Sequence, residues 1–190
     1  MTPFEYVIVL ISIILGLGIT TILTGVAELI KHGRPLKIFT PYIIWIVLIF
    51  VLHIQEWWIS YQLMSVKVWT LHFFLLVVLY PINLYILAHL LFAGTLSASF
   101  DMKDFYLEHY PRIFAGAITL VIISIVQNVL VGHFALRTQV PHFIILIVLI
   151  GFIAGRNRSS TAHTLVAILL LMMMVIGFAF DQDNLTISTP

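Results

Sequence analysis

The chain contains no cysteine and few charged residues, and both absences exclude classes of protein. Without cysteine there are no disulfides, no thiolate metal sites and no cysteine nucleophile. Charged residues make up 9% of the sequence, whereas an ordinary soluble domain has about 25%. The nine lysines and arginines are scattered along the chain and nearly balanced by eight acids. No basic surface is therefore expected to hold nucleic acid.

Apolar residues dominate what is present. They make up 62% of the 190 residues and give a mean hydropathy of +1.13, against roughly 45 to 50% apolar residues in soluble domains. They come in runs of about twenty residues, the length of a spanning helix, rather than in the alternating segments of about ten that build outer-membrane barrels. The sequence therefore predicts an all-α protein embedded in a lipid bilayer.

Hydropathy predicts one transmembrane domain over residues 1–190, with six spans near 6–30, 42–64, 69–92, 111–130, 140–154 and 161–180. Thr2 and Glu5 form a capping-box pattern ahead of the first span, with proline at its first position. Pro111 is expected to open the fourth span, and Pro141 either opens the fifth or kinks a longer helix. Residues 99–110 mix aromatic and charged side chains, which favours a short helix in the membrane interface over an irregular loop.

The loop charges predict an orientation. Seven of the nine cations fall on one side of the six spans, and the other two, Lys67 and Arg137, fall on the opposite side. By the positive-inside rule, both termini then lie on the outer, non-cytoplasmic side of a cell membrane, which would be the inner membrane in a bacterium. Four aromatic residues are expected near the inner interface, namely Tyr42, Trp45, Tyr106 and Tyr110. The seven cations are Lys31, Arg34, Lys37, Lys103, Arg112, Arg156 and Arg158.

Glu56 is the acidic residue placed well inside the hydrocarbon, near the middle of the second span. An ionised carboxylate at that depth costs about 3 kcal/mol on insertion scales, so it needs a partner or a proton. His53 lies one helical turn earlier on the same face, and imidazole ordinarily titrates near neutral pH. The pair could hold or relay a proton. Alternatively, a protonated Glu56 could hydrogen-bond a neighbouring helix and hold the bundle together.

Spans three and four carry further polar residues. Pro81 lies at the centre of span three, where it leaves the Val77 carbonyl without its helical donor, and it is flanked by Tyr80 and Asn83. A kink of this kind can form a binding site, although neighbouring helices often satisfy the free carbonyl. Three residues of span four share a face by their spacing. We expect the polar side chains of the three spans to converge on one ion or solute pathway, namely Glu56, His53, Tyr80, Asn83, Ser124, Gln127 and Asn128, with Pro81 as a hinge.

Small residues indicate where helices can approach closely. Ser12, Gly16, Thr20 and Thr24 recur at every fourth position of span one, and Gly151 with Gly155 forms a GxxxG pattern in span five. These faces predict helix packing within the protein or between copies of it. A homo-oligomer is the expected assembly.

These observations favour a small channel or transporter for an ion, a proton or a small solute. One alternative is an electron carrier with b-type haem, ligated by His72 with His142 and by His89 with His163, because such haems need paired histidines at matching depth. The other is a non-catalytic subunit or sensor that docks a partner protein. The sequence shows no nucleophile motif, metalloprotease motif or phosphate loop, so neither a catalytic residue nor a resident metal is predicted.

Overall fold

The computed structural model describes residues 2–31, 37–92, 100–132 and 134–181. Within them the chain forms six α-helices, each long and apolar enough to cross a membrane when the short 3-10 turns 60–65 and 136–139 are joined to the second and fifth. The all-helical fold and the six candidate spans are thereby confirmed. The helices are α1 (Pro3–Lys31), α2 (Thr40–Ile59), α3 (Leu71–Leu91), α4 (Met102–Leu130), α5 (Val140–Ala154) and α6 (Ser160–Asp181).

The starts of the helices follow local chemistry. The backbone N–H of Thr2 donates to Glu5 Oε2 at 2.8 Å, and the N–H of Glu5 donates to Thr2 Oγ1 at 3.2 Å. This reciprocal pair confirms the capping box, which satisfies backbone donors that have no partner in the first turn of α1. Pro141 lies in the first turn of α5, where a missing N–H costs no helical hydrogen bond.

The structure differs from the expectation at the start of span four. Residues from Met102 onward belong to the same helix as the rest of the span, and Pro111 lies inside it. The Asp101 carboxylate caps this helix by accepting the N–H groups of Lys103 and Asp104. Met102, Tyr106 and Tyr110 recur at every fourth position and are buried. This buried stripe packs the first turns of α4 against the bundle; residue 99 lies outside the described ranges.

Successive helices of the bundle run in opposite directions. The hydroxyl of Tyr42, at the start of α2, donates to the carbonyl of Leu91, at the end of α3, over 2.7 Å. Helix α2 packs against α1, α3 and α6, while α3 also packs against α1 and α4, and α4 against α5. We call the end of the bundle where α1, α3 and α5 begin the first end, and the opposite one the second end. Along their described residues α5 and α6 pack mainly on α4 and α2, and hardly on each other.

Close approach of α1 to its neighbours depends on Gly18 and Gly25. A Cβ built on Gly18 would overlap the ring of His53, and one built on Gly25 would overlap the ring of Phe92. By contrast, a Cβ at Gly16 or Gly151 would meet nothing within 4 Å. The small-residue faces predicted at Gly16 and Gly151 are therefore open within the protomer, and they stay candidates for contact between copies.

Candidate functional site

A cavity of about 540 Å³ lies between α2, α4, α5 and α6, with Tyr80 of α3 in its wall. We call it the α5–α6 cleft, because those two helices form its walls while hardly touching each other. Its volume falls within the roughly 300 to 1,000 Å³ of ordinary small-molecule sites. Apolar side chains make up most of the lining, chiefly Trp45, Leu48, Ile49, Leu52, Leu120, Ile145, Leu149, Leu170, Met173, Met174 and Ile176.

The polar side chains of the cleft lie towards the first end of the bundle. Ser124 is near the end of α4 and His142 is at the start of α5, so both belong to that end, together with Gln55 near the end of α2. Trp45, near the start of α2, and Leu149, near the end of α5, line the part closer to the second end. The cleft is therefore polar at one end and apolar at the other.

Ser124 and His142 form a hydrogen-bonded pair in the cleft wall. The Ser124 hydroxyl and His142 Nε2 lie 3.2 Å apart, and His142 Nδ1 is buried with no hydrogen-bond partner among the described residues. A serine hydroxyl and a neutral imidazole carry one donor hydrogen each, and the bond between them uses only one. Whichever nitrogen of His142 is protonated, one N–H or O–H of the pair is left to donate elsewhere.

Glu56 is partly buried beside this cleft. Its carboxylate lies close enough to Tyr80, a lining residue, to interact with it electrostatically. Across the residues that the structure describes, no hydrogen bond or ion pair to the Glu56 carboxylate is found. Glu56 thus lies next to the cleft without a counter-charge.

His53 is turned away from the cleft. It is fully buried, and its ring lies against the backbone of α1 at Gly18. His53 Nδ1 lies 2.7 Å from the carbonyl oxygen of Ile49, which can only accept, so Nδ1 carries the hydrogen. His53 Nε2 has no partner among the described residues. No hydrogen bond joins it to Glu56 in this part of the chain, although the two residues share a helix face.

A side-chain amide of α4 donates to the backbone carbonyls beside the proline in α3. Gln127 Nε2 donates to the carbonyl of Leu76 over 2.8 Å and lies 3.4 Å from the carbonyl of Val77. Pro81 has no N–H, so the Val77 carbonyl has no helical donor, and Gln127 supplies one from the neighbouring helix. Asn128 makes a similar bond, in which its Nδ2 donates to Gln139 Oε1 over 2.9 Å. Both residues join elements of the bundle.

Replacing Gln127 by leucine should destabilise the protein by roughly 0.6 to 2 kcal/mol, because the carbonyls of Leu76 and Val77 lose their cross-helix donor. Adding Pro81→Ala should recover part of the loss, because an alanine N–H at position 81 can restore the helical bond to Val77. Thermal unfolding of the single and double variants in detergent measures both effects. If Gln127→Leu lowers the stability equally with proline and with alanine at position 81, Gln127 does not compensate for the N–H group that Pro81 lacks.

The structure separates the seven predicted pathway residues. Tyr80 and Ser124 line the cleft, Glu56 lies beside it, and Gln127 and Asn128 join helices. His53 and Asn83 are buried and do not line the cleft, and Asn83 Oδ1 has no hydrogen-bond partner among the described residues. The pathway prediction did not include the polar lining residues Gln55 and His142, nor any of the apolar lining residues, such as Met173 and Met174.

His163 occupies an aromatic cluster at the second end. Its side chain is fully buried, with ring centroids 4.7 to 5.7 Å from those of four aromatic residues. Nε2 lies 2.9 Å from the carbonyl of Asn157 and Nδ1 lies 3.1 Å from the Tyr106 hydroxyl. Neither nitrogen can ligate haem iron without breaking one of these bonds, and the proposed partner His89 is exposed. The four rings belong to Tyr106, Tyr110, Phe114 and Phe152.

No family model, curated protein or solved structure matches this chain.

Proposed function

We propose that the protein is a small-solute transporter, with the α5–α6 cleft as its solute site and Glu56 as the group that takes up a proton or cation. The observation that carries the proposal is a ligand-sized cavity inside a bundle of six candidate spans, with the Glu56 carboxylate near enough to its wall to interact electrostatically with Tyr80. Ionisable residues at such depth are costly and commonly mark ion or proton pathways.

The surroundings of Glu56 support this role. Without a cation nearby, an ionised Glu56 in the hydrocarbon costs about 3 kcal/mol, which favours uptake of a proton or a cation. Tyr80 lines the cleft and lies within electrostatic range of the Glu56 carboxylate. A change of charge at Glu56 would therefore be felt in the wall of the solute site. His53 contributes by setting the distance between α1 and α2 beside Glu56.

The divergence of α5 and α6 supplies a route for the solute. The two helices are joined at the second end by a short turn in which Arg156 has φ 45°, and Phe152 contacts His163 there, with ring centroids 5.1 Å apart. Towards the first end both helices line the cleft. Motion of one helix against the other about this turn would open or close the site.

The orientation and assembly belong to the same proposal. The loop charges support an arrangement with the first end on the outer side of the cell membrane. The polar end of the cleft would then face the outer side. The exposed faces at Gly16 and Gly151 are offered as contacts between copies in a homo-oligomer.

Proton and cation flux into liposomes carrying the purified protein tests this function. A gradient and a voltage are imposed, and wild type is compared with Glu56→Gln and with the control Glu28→Gln, which replaces an exposed acid of α1. We expect Glu56→Gln to reduce flux to the level of protein-free liposomes, because an amide cannot take up a proton. Glu28→Gln should match wild type.

Correct assembly of Glu56→Gln, judged by its elution profile and thermal unfolding, is required for this comparison. Wild-type flux equal to that of protein-free liposomes, or equal flux in wild type and Glu56→Gln, would contradict the proposed role of Glu56.

A further inference from the structure

We propose that the solute of the α5–α6 cleft is a neutral amphiphile with one slender apolar chain and a head group that accepts hydrogen bonds. This inference rests on the proposed function, because it names the class of molecule that the same site takes. Four features of the cleft support it, namely its access from the bilayer, the charges around it, its hydrogen-bonding groups and its shape.

The route of access points to a molecule dissolved in the bilayer. Both walls of the cleft belong to helices that are candidate membrane spans, and these helices hardly pack on each other along their described length. A gap between two spanning helices faces lipid. A molecule already in the bilayer can therefore enter sideways, without crossing an aqueous loop.

The charges around the cleft point to an uncharged head group. None of the described residues that line it is a lysine, arginine or acid. The nearest charge shown to act on the wall is Glu56, through Tyr80. A carboxylate or phosphate head would find no counter-ion there and would be repelled by an ionised Glu56, and burying an unpaired anion is strongly unfavourable.

The hydrogen-bonding groups point to an acceptor oxygen on the head. His142 Nδ1 is buried, so the donor that the pair offers to the cleft is the Ser124 hydroxyl, which is free when Nε2 carries the ring hydrogen and donates to Ser124. Three threonine hydroxyls of the spans have no such spare hydrogen, because each donates to the carbonyl four residues earlier in its own helix. They belong to Thr20, Thr119 and Thr164. Gln55 adds an amide that makes no hydrogen bond to other described residues. A buried donor without a partner is costly, and a carbonyl, ether or hydroxyl oxygen of a ligand would satisfy it.

The apolar part of the cleft suits a hydrocarbon chain. From the polar end it continues past Ile145 and Leu149 of α5 and Leu170 of α6 to Trp45 of α2. Met173 and Met174 line the α6 wall, and unbranched thioether side chains adapt readily to chains of differing shape. The head group would therefore lie near His142 and the chain would point towards Trp45.

A photoreactive monoacylglycerol carrying a diazirine on its chain tests the inference in liposomes containing the full chain. The comparison probes are the free fatty acid and the plain hydrocarbon of the same chain length. We expect the monoacylglycerol to label peptides from the cleft walls of α5 and α6, at sites such as Ile145 and Met174. Unlabelled monoacylglycerol should compete for this labelling, and both comparison probes should label these peptides several-fold less.

His142→Phe should lower labelling by about three- to tenfold, because it removes both ring nitrogens and leaves the Ser124 hydroxyl free to bond within its own helix. The control His72→Phe replaces an exposed histidine near the same end and should leave labelling unchanged. Ala117→Leu and Met174→Trp should fill the cleft and remove most labelling. Either of these two variants is a sufficient test, provided that its elution profile matches that of the wild type and so shows correct folding.

Three results would overturn the inference. Equal labelling by the hydrocarbon probe would indicate ordinary lipid contact, and stronger labelling by the fatty acid would indicate an anion site. Labelling unchanged in both filled variants would place the ligand elsewhere. The assay needs no ion gradient, so a loss of flux in Glu56→Gln with intact labelling contradicts neither proposal. Labelling without any wild-type proton or cation flux would contradict the proposed role of Glu56 and leave this inference standing.

Discussion

Gly18→Val should destabilise the protein by about 3 kcal/mol, although valine is a common residue of spanning helices. A Cβ at Gly18 overlaps the His53 ring, which is fully buried and held by the bond from Nδ1 to the Ile49 carbonyl. Because the ring has no room to turn aside, α1 and α2 must move apart. Thermal unfolding in detergent measures the loss.

Gly16→Val is the matched control, because the same helix places nothing within 4 Å of its Cβ. It should change the unfolding midpoint little. The double variant Gly18→Val with His53→Ala should recover most of the stability, since the smaller side chain leaves space for the valine. Similar losses at the two glycines, or no recovery in the double variant, would show that the contact between Gly18 and His53 is not what sets the distance between these helices.

His163→Ala should have the largest effect of any single substitution in the bundle, about 3 to 5 kcal/mol, as for removal of a large buried ring. The ring contacts four aromatic side chains from α4 and α5, and its two nitrogens bond to Tyr106 and to the turn before α6. Its loss leaves a cavity together with an unpaired hydroxyl and an unpaired carbonyl. We expect a poor yield of folded protein and a strongly lowered unfolding midpoint.

Two further variants separate the loss of packing from the loss of hydrogen bonds in His163→Ala. Tyr106→Phe removes one hydrogen bond and keeps the packing, so it should cost about 1 kcal/mol. His89→Ala replaces an exposed histidine of α3 and should cost less than about 0.5 kcal/mol. If His163→Ala were no worse than His89→Ala, the aromatic cluster would contribute little to joining α4, α5 and α6.

Four aromatic residues at the second end show what the sequence pattern can and cannot predict. Tyr42, Trp45, Tyr106 and Tyr110 lie at the depth where an aromatic belt is expected, and the sequence supplies no reason to place them elsewhere. In the structure all four are buried against other protein residues, between 0% and 3% exposed. An aromatic side chain near a helix end suits lipid head groups and a protein interior equally well. Only the neighbouring helices decide between the two.

The polar residues show the same division. Pro81 and Gln127 stand out in the sequence individually, but their relation depends on α4 lying beside α3. The importance of His142 depends on Ser124 lying opposite it, and on α6 lying far enough from α5 to leave a cleft. Gly16 belongs to a regular small-residue pattern and Gly18 does not, yet Gly18 is the one that touches another helix.

The sequence by itself determined the all-helical class, the six candidate spans, the capping of α1 and the place of Glu56 within the second candidate span. These are properties of one segment at a time, because transfer of a helix from water to lipid depends on its own side chains. The tertiary structure decided which faces meet, where the cleft lies and which donors lack partners. Lipid is as apolar as the helix faces, so hydropathy does not distinguish a face that contacts lipid from one that contacts protein.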